Sequence, residues 1–296
     1  MFFVFDALEA RLDDEGMAPD PSLGAPVGSG TVCLDVADGV GTITLNRPQR
    51  RNAMSWHLLQ DLRTALDLAE ADDAVRVVVL TGAGSDFCVG ADLARVGSSD
   101  PRDHDSRTLR GRSLQDDRDR LTQASAIAER LVTFPLVTVA AINGACAGAG
   151  LSLALATDIR VAADRAVFNT AFVSAGVSGD LGSAWLLTRA VGNARASSLI
   201  LDPVKLDAGR ALELGLVTEV TADLAGRIGA LTAKLAKQPL LAMQHAKRNL
   251  ADAVVSSLPD YLRREVPRMV ETARSGDARA AAQAFVNRRA HQGVQA

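Results

Sequence analysis

The amino-acid sequence predicts an α/β fold, in which strands and helices alternate along the chain. Three stretches carry this prediction. Residues 31–45 alternate apolar and polar side chains around Asp38 and Gly39, which is typical of a β-hairpin. Residues 75–81 form a strand-like apolar run that ends in a glycine turn, and residues 137–142 form a second run of the same kind. A helix of small residues follows that second turn.

The predicted helices take their boundaries from capping residues and from proline. Leu58, Leu62 and Leu66 recur at helical spacing after Ser55, a suitable N-cap, so a helix is predicted to begin there. An N-cap is also predicted near Asp180, ahead of an apolar run. Four C-terminal helices are predicted, over residues 222–236, 239–253, 259–273 and 278–289.

The composition is that of a globular protein. Hydrophobic residues make up 48% of the 296 residues and charged residues 23%, so the chain can bury a substantial core. The formal net charge of −3 gives no electrostatic reason to bind nucleic acid or an anionic membrane, and we expect neither as a partner. The three cysteines are odd in number and stand in apolar contexts, which favours reduced core thiols over disulfides or a metal site.

Three regions make up the predicted domain organisation. Residues 1–30 contain a Pro-, Gly- and Ser-rich stretch and are predicted to be an N-terminal extension and flexible link. Residues 31–225 are predicted to form the α/β core, and residues 226–296 a C-terminal helical region. The chain start lacks a basic leader and no segment has about 18 uninterrupted apolar residues, so we expect a cytoplasmic protein.

The two glycine turns carry the candidate chemistry. In the second turn, Gly144, Gly148 and Gly150 allow backbone conformations and close approaches that a side chain would obstruct. The helix that follows presents unpaired N–H groups and the positive end of its dipole, which can stabilise an oxyanion. The first turn, over residues 81–93, supplies another backbone N–H, and two such donors suit an enolate or a tetrahedral thioester oxygen. Tight packing of a helix on a sheet is the alternative explanation of these glycines.

Four motifs carry a resemblance to a known family. They are LNRPQRRNAMS (45–55), GAGSDFCVGADL (82–93), AAINGACAGAGLSLALATDIRVAA (140–163) and GDLGSAWLLTRAVG (179–192). Their order and spacing resemble those of the crotonase superfamily, the enoyl-CoA hydratase/isomerase family. The similarity covers most of the chain from near Thr31 onward.

This resemblance implies a crotonase-type spiral of repeated ββα units. It implies that the C-terminal helices build a homotrimer, often doubled to a hexamer. The oxyanion hole would be formed by the backbone N–H groups of Ala91 and Ala149. The substrate would be a coenzyme A thioester, so coenzyme A enters as part of the substrate, and neither a metal nor a separate cofactor is expected.

The resemblance also implies a set of substrate-binding residues. Arg47 and Arg51 lie in the segment that approaches the CoA phosphates, and an arginine fork suits a phosphate, although a surface charge is the alternative. Arg289 belongs to a basic tail that reaches the adenosine phosphate of a neighbouring subunit. Gly90 and Gly148 belong to the two turns that face the substrate.

Two positions depart from the family pattern. Hydratases of the family use two glutamates to activate water, and the motifs place Ser152 and Phe172 at those positions. Neither side chain is an acid or a base at neutral pH. Ser152 can position a water molecule or donate a hydrogen bond, whereas Phe172 can only shape the pocket. The two-glutamate hydration of an enoyl-CoA is therefore not expected.

Asp180 is the candidate that compensates for the missing glutamates. It stands where several members of the family carry a catalytic aspartate. Burial in an apolar pocket raises the pKa of a carboxyl group toward neutrality and makes it a competent base for the proton next to a thioester carbonyl. The alternative role of Asp180 is that of a helix N-cap, and the two roles are compatible.

The sequence therefore predicts an acyl-CoA enzyme that works through an enolate, with isomerisation as the leading reaction and Asp180 as the base. A first alternative is an enoyl-CoA hydratase that uses Asp180 and a water molecule held by Ser152. A second alternative is a CoA-binding subunit without catalytic activity. The acyl group is not encoded in these motifs.

Overall fold

A computed structural model describes residues 21–92 and 113–283 of the chain. Within these residues the strands are β1 (Ala25–Val27), β2 (Val32–Ala37), β3 (Val40–Leu45), β4 (Val77–Gly82), β5 (Val137–Ile142), β6 (Ala145–Ala147), β7 (Ile159–Ala163), β8 (Val167–Asn169), β9 (Leu206–Asp207) and β10 (Glu219–Thr221). The helices are α1 (Trp56–Ala71), α2 (Leu114–Val132), α3 (Ala149–Leu155), α4 (Ser183–Val191), α5 (Asn193–Leu201), α6 (Ala208–Leu214), α7 (Leu224–Ala236), α8 (Leu240–Ala253) and α9 (Leu258–Ala273).

The main sheet has seven strands in the order β1-β2-β3-β4-β5-β7-β10. β1, β2 and β3 are antiparallel neighbours, and all later neighbours are parallel. A second sheet joins β6, β8 and β9. The predicted hairpin is confirmed, since Asp38 and Gly39 join β2 to β3 with φ angles of 51° and 80°. The predicted α/β class is confirmed as well.

Parallel pairing of β4 with β5 brings the two glycine turns to one edge of the sheet. The register pairs Val77 with Val137 and Leu80 with Ala140, so both strands run in the same direction side by side. The chain leaves the sheet after Gly82 and after Ile142, at the carboxyl ends of the two strands. The first and second turns therefore start next to each other.

Helix α1 shows how the local sequence produces the fold. The Ser55 side chain accepts a hydrogen bond from the Leu58 backbone N–H at 3.2 Å, which confirms the predicted N-cap. Leu58, Leu62 and Leu66 are fully buried on the face of α1 that packs against β2 and β3. The apolar stripe thus covers one face of the sheet.

Helix α7 covers the opposite face of the sheet. Ile228, Leu231 and Leu235 pack against a buried cluster that includes Val79 and Val139. The predicted boundary at residue 226 is therefore wrong, because it separates α7 from the core that α7 completes. The sheet needs apolar cover on both faces, since its central parallel strands are buried on both sides.

The N-terminal boundary also needs correction. Residues 21–30 were expected to belong to a flexible link, but Ala25–Val27 is β1 and pairs with β2 in the main sheet. Asp61 of α1 fixes the turn that follows, because its carboxylate accepts hydrogen bonds from the Ser29 hydroxyl at 2.6 Å and from the Thr31 hydroxyl at 2.7 Å. The core therefore begins before residue 31. Residues 1–20 lie outside the described residues.

Helix α8 contacts β5, and its Met243 packs against the buried cluster that includes Val79 and Val139. Lys247 of α8 reaches back to the core, where its ammonium group donates to Asp158 Oδ2 at 2.7 Å and to the Leu136 carbonyl at 3.0 Å. Helix α9 packs on α8 and has no buried residue in the single chain. The predicted helices over 222–236, 239–253 and 259–273 are confirmed as α7, α8 and α9.

The described residues permit two further statements. None of their helices combines the length and the apolar character that crossing a bilayer requires. Cys33, Cys88 and Cys146 are all buried and join in no disulfide among the described residues, as expected of core cysteines.

Candidate active site

The Ala91 N–H of the first glycine turn points away from Met54, the residue with which this turn pairs. The Met54 N–H donates to the Gly90 carbonyl at 2.8 Å, and the Asp92 N–H donates to the Met54 carbonyl at 2.9 Å. In a trans peptide the N–H points opposite to the C=O. Since the Gly90 carbonyl points toward Met54, the Ala91 N–H points away from it.

The second turn presents the Ala149 amide at the start of α3. The Gly148 carbonyl accepts the Ser152 N–H at 3.2 Å and so points along the helix. The Ala149 N–H therefore points out of the N-terminal end of α3, where the first N–H groups of a helix lack intrahelical acceptors. Gly148 adopts a φ of 53°, which a glycine accepts without steric cost.

The two turns are in direct contact. The Ala147 N–H donates to the Cys88 carbonyl at 3.0 Å, and the Cys88 N–H donates to the Ala145 carbonyl at 3.1 Å. A Cβ added to Gly90 would lie 2.9 Å from the Ala147 carbonyl oxygen and 3.4 Å from the Ala149 nitrogen. Only a glycine lets the first turn approach the second this closely. The structure thus brings together the two amides that the sequence predicted as a pair.

Asp180 sits in a tight turn before α4. The Ser183 N–H donates to the Asp180 carbonyl at 3.0 Å, and the two residues between them, Leu181 and Gly182, have φ angles of 49° and 72°. Helix α4 begins at Ser183 with Gly182 as its N-cap and without a side-chain cap. The prediction that Asp180 caps this helix is therefore wrong. Its carboxylate accepts from the Leu181 N–H at 2.8 Å instead.

The Asp180 carboxyl is a weaker acid than an ordinary aspartate. Burial raises its pKa, and the hydrogen bond from the Leu181 N–H opposes this rise without cancelling it. No arginine, lysine or histidine among the described residues forms an ion pair with Asp180. The predicted direction of the pKa shift is confirmed. The role of Asp180 as a base stays a prediction.

Ser152 and Phe172 occupy the two positions where the glutamates are missing. Ser152 is 1% exposed, and its hydroxyl donates to the Asp180 carbonyl at 3.1 Å. Phe172 is buried, and its Cε1 would lie 3.9 Å from a Cβ added to Gly148. Phe172 therefore borders the second turn, and its role in shaping the pocket stays a prediction. The Ser152 proton is already used to hold the Asp180 backbone.

Arg47 does not lie where a phosphate could reach it. The side chain is fully buried, with its guanidinium donating to the Ala53 carbonyl and to Asp92 Oδ2, the latter at 3.0 Å. Arg50 donates to the other Asp92 oxygen at 2.6 Å. This burial corrects the prediction that Arg47 contacts the CoA phosphates, because a buried charge that is already paired cannot meet an external anion. Arg47 instead joins its own segment to the residue that follows Ala91.

Arg51 is exposed, as a phosphate-binding residue must be. Its guanidinium donates to Asp86 Oδ2 at 2.8 Å, and this bond raises the pKa of Arg51. Burial alone would raise the pKa of Asp86, but donors from Arg51, from the Ala145 N–H and from Ser85 outweigh it, so the pKa lies below its usual value. Contact of Arg51 with a phosphate stays a prediction. Arg289 lies outside the described residues.

Asn52 and Asp86 are two residues of the site region whose roles the sequence analysis missed. The buried Asn52 side chain donates to the carbonyls of Ala83 and Asp86 at 2.9 and 2.8 Å and accepts from the Arg47 N–H at 2.9 Å. Asp86 accepts from the Ala145 N–H at 2.9 Å and so joins the two turns. The available sequence signal was an asparagine between two predicted elements, since asparagine tolerates the left-handed backbone that Asn52 adopts.

The two cysteines next to the turns are not nucleophiles in this fold. Burial raises the pKa of the Cys88 thiol to about 12, against the effect of a backbone hydrogen bond to Gly90. Burial also raises the pKa of Cys146, and the neighbouring Cys88 adds to the rise. Because the thiolate is the reactive form, both thiols are inert at neutral pH.

The candidate site thus consists of two glycine turns in direct contact and a half-buried carboxyl, that of Asp180, whose backbone is joined to α3 through Ser152. Comparison with known proteins gives the class. The family model described as enoyl-CoA hydratase/isomerase matches residues 35–293. The chain is 36% identical over 261 residues to 1,2-epoxyphenylacetyl-CoA isomerase of Escherichia coli (strain K12), covering 87% of this chain and 95% of that protein.

Two further similarities extend this result. The chain is 33% identical over 241 residues to 4-chlorobenzoyl coenzyme A dehalogenase-1 of an Arthrobacter species, covering 81% of this chain and 84% of that protein. Its fold matches the crystal structure of an enoyl-CoA hydratase from Polaromonas sp. JS666 with a TM-score of 0.79 at 28% identity, over 87% of this chain and 97% of that one.

The chain belongs to the enoyl-CoA hydratase/isomerase family, whose members are enzymes that act on acyl-CoA. The predicted family membership and the crotonase-type fold are therefore confirmed. Relatives of comparable identity carry the names of an isomerase and of a dehalogenase, so family membership leaves the reaction open.

Proposed function

We propose that the protein is an acyl-CoA enzyme that moves a proton through an enolate intermediate, with isomerisation of an enoyl-CoA as its reaction. Asp180 is the base, and the backbone N–H groups of Ala91 and Ala149 hold the thioester oxygen. The proposal assigns no catalytic role to a carboxylate at position 152 or 172, since neither residue carries one.

The contrast between Asp180 and the other carboxylates near the turns supports this proposal. Asp86 and Asp92 both accept hydrogen bonds from arginines, and the pKa of Asp86 lies below its usual value, which makes Asp86 a weaker base than an ordinary aspartate. Asp180 is half-buried and is paired with no cation among the described residues. Its Oδ1 accepts from the Leu181 N–H, which leaves Oδ2 to receive a proton. This contrast is the observation that carries the assignment of the base.

The mechanism follows from the two amides and the carboxylate. Asp180 Oδ2 removes the proton from the α-carbon of the thioester, so the C–H bond breaks and its electron pair moves to the carbonyl oxygen. The Ala91 and Ala149 N–H groups stabilise the enolate oxygen that forms. The protonated Asp180 is only half-buried, so it exchanges its proton with water, and it then donates a proton to the γ-carbon while the double bond moves by one position. A raised pKa of Asp180 suits both steps, because the carboxylate must accept the α-proton and the carboxyl group must then donate a proton to the γ-carbon.

The hydratase alternative receives less support from the geometry. Ser152 is almost fully buried, and its hydroxyl proton is donated to the Asp180 carbonyl. Holding a water molecule would require a lone pair of the same hydroxyl to face the substrate. Hydration is therefore an outcome that the experiment must detect rather than the reaction we assign.

The experiment is mass spectrometry of saturated, enoyl and aryl acyl-CoA esters after incubation with the protein in heavy water. We expect deuterium uptake and bond migration without net addition of water. Replacement of Asp180 by Asn should abolish the uptake while ester binding persists. Asp202→Asn, an exposed aspartate at the end of α5, is the matched control and should change nothing.

The other outcomes are equally clear. Stable addition of water would establish the hydratase alternative in place of isomerisation. Tight binding of the esters without any exchange would indicate a CoA-binding subunit and would overturn the proposal.

We further propose that the protein assembles as a homotrimer, or as a hexamer made of two trimers, through α8 and α9. These two helices and the residue that follows α8 leave a set of large apolar side chains exposed in the single chain: Leu250, Val254, Leu258, Leu262, Val266, Met269 and Val270. Exposed apolar surface of this kind is typical of a protein interface. Sedimentation velocity should report a trimer or hexamer mass that Met269→Asp lowers and that Leu68→Asp, an exposed leucine on α1, leaves unchanged.

A further inference from the structure

We infer that Ser152 is a positioning residue that holds the Asp180 turn against the helix supplying the Ala149 amide. The inference rests on the proposed function, because it concerns how the proposed base is placed. It replaces the role first predicted for Ser152, that of holding a water molecule. Ser152 acts on the reaction through Asp180 and does not touch the substrate.

The geometry of α3 supplies the first argument. Ser152 follows Ala149 by three residues, so both residues lie on one turn of a helix whose residues are all buried. A helical turn of this kind is rigid, because its N–H groups and side chains are fixed by packing. The hydrogen bond from Ser152 Oγ to the Asp180 carbonyl, at 3.1 Å, therefore ties the proposed base to the element that carries one oxyanion donor.

The backbone of the Asp180 turn supplies the second argument. Leu181 adopts a φ of 49°, a conformation that a non-glycine residue holds only when its surroundings enforce it. Its side chain is 2% exposed, so the core anchors it on one side of the turn. On the other side, the Asp180 carbonyl accepts from both Ser152 Oγ and the Ser183 N–H. The strained turn is thus held at both ends.

The chain before Asp180 is held by hydrogen bonds within its own segment, such as that from the Val177 N–H to the Phe172 carbonyl at 3.1 Å. Residues 173–178 are all exposed in the single chain, and Gly179 adopts a φ of 145°. Glycine at that position lets the exposed segment change direction next to Asp180. Loss of the Ser152 bond would therefore free the carboxylate to move and would expose more of it to water.

The test compares Ser152→Ala and Ser152→Cys with wild type. The cysteine variant keeps nearly the same volume but donates only weakly. Thr157→Val is the matched control, because the buried Thr157 hydroxyl donates to a carbonyl of its own segment, that of Ala154 at 2.7 Å, away from Asp180. Two experiments are made: one gives the kcat and KM of α-proton exchange in heavy water, and the other gives the amide hydrogen exchange of residues 179–183 by mass spectrometry.

For an active wild-type enzyme, we expect Ser152→Ala to lower kcat by about 10- to 100-fold with KM unchanged, because displacement of a catalytic group by about 1 Å has an effect of this size. The acid limb of the pH–rate profile of Ser152→Ala should move to lower pH, because greater contact of the Asp180 carboxyl with water lowers its pKa. The kcat of Ser152→Cys should lie between those of wild type and Ser152→Ala, and the kcat of Thr157→Val should match that of wild type. An unchanged kcat, or a change confined to KM, would overturn the inference.

Hydrogen exchange separates failure of this inference from failure of the proposed function. If wild type exchanges no α-proton with any ester, the proposed function fails. The hydrogen bond from Ser152 to the Asp180 carbonyl is then tested by hydrogen exchange of the Ser183 amide, which donates to the same carbonyl. Faster exchange of residues 179–183 in Ser152→Ala, but not in Thr157→Val, supports the inference that Ser152 holds the Asp180 turn. Equal amide exchange in wild type and Ser152→Ala overturns that inference.

Discussion

Gly90 and Ala149 belong to different turns, yet a Cβ added to Gly90 would stand 3.4 Å from the Ala149 nitrogen. The two amides proposed to hold one oxygen are thus set by a contact that tolerates no side chain. Mutations that separate the turns should therefore affect catalysis more strongly than stability.

Gly90→Ala tests this contact directly. The new Cβ would meet the Ala147 carbonyl oxygen at 2.9 Å, and the residue must hold a φ of +95°. We expect kcat to fall by about 10²- to 10³-fold, the usual effect of losing one oxyanion donor. Gly192→Ala is the control, because Gly192 has a φ of +78° and no atom within 4 Å of the added Cβ. Equal kcat values for the two variants would contradict a role for the contact in catalysis.

Gly150 and Gly229 form a second pair for comparison. A Cβ on Gly150 would lie 2.2 Å from the Cys88 carbonyl oxygen, whereas one on Gly229 would meet nothing within 4 Å. Gly150→Ala should lower the free energy of unfolding by about 1–3 kcal/mol through overpacking. Gly229→Ala, inside α7, should raise it by about 0.5–1 kcal/mol, because alanine loses less entropy on folding. Urea unfolding measures both values, and a stabilised Gly150→Ala would show that α3 can shift freely.

Asp92→Asn should destabilise the fold strongly. Asp92 is the buried partner of the fully buried Arg47, with side-chain exposures of 3% and 0%. Breaking a buried pair leaves an uncompensated charge and costs about 3–5 kcal/mol. Arg210→Ala removes an exposed pair with Glu213 and should cost at most about 1 kcal/mol. Similar losses in both variants would mean that the Arg47 pair is not buried in solution.

The pH dependence of the reaction should follow the raised pKa of Asp180. The base must be ionised to accept a proton, so the rate of α-proton exchange should fall as pH decreases through this pKa. Because burial raises the pKa, the acid limb should lie above the ordinary aspartate value of 3.8. A pH–rate profile measures the limb, and an acid limb at or below the ordinary value would argue against Asp180 as the base.

The same shift predicts how stability depends on pH. The folded state binds the Asp180 proton more tightly than the unfolded state, so stability is lost as pH rises from the ordinary value of 3.8 through the raised pKa. Asp180→Asn has no such proton and should become more stable relative to wild type across this window. Urea unfolding at a series of pH values gives the difference. A difference that shrinks with rising pH would contradict a raised pKa.

Local sequence patterns were sufficient for much of the fold. The Ser55 cap, the Asp38-Gly39 hairpin and the C-terminal helices α7 to α9 were predicted because turn chemistry, capping and apolar periodicity act between residues close in the chain. The same local rules failed at Asp180, where two successive left-handed residues, Leu181 and Gly182, move the helix start beyond the predicted cap. A buried leucine in that conformation is imposed by tertiary packing, which local propensity does not contain.

The sequence by itself determined the family, the α/β class, the pairing of the two glycine turns and the choice of Asp180 as the candidate base. Only the tertiary structure decided that Arg47 is buried with Asp92, that α7 belongs to the core and that the Ser152 hydroxyl holds the Asp180 backbone. The physical reason is distance along the chain. A motif records which residue types a turn or helix needs, but burial and long-range hydrogen bonds join residues from separate motifs, and these contacts exist only when the chain is folded.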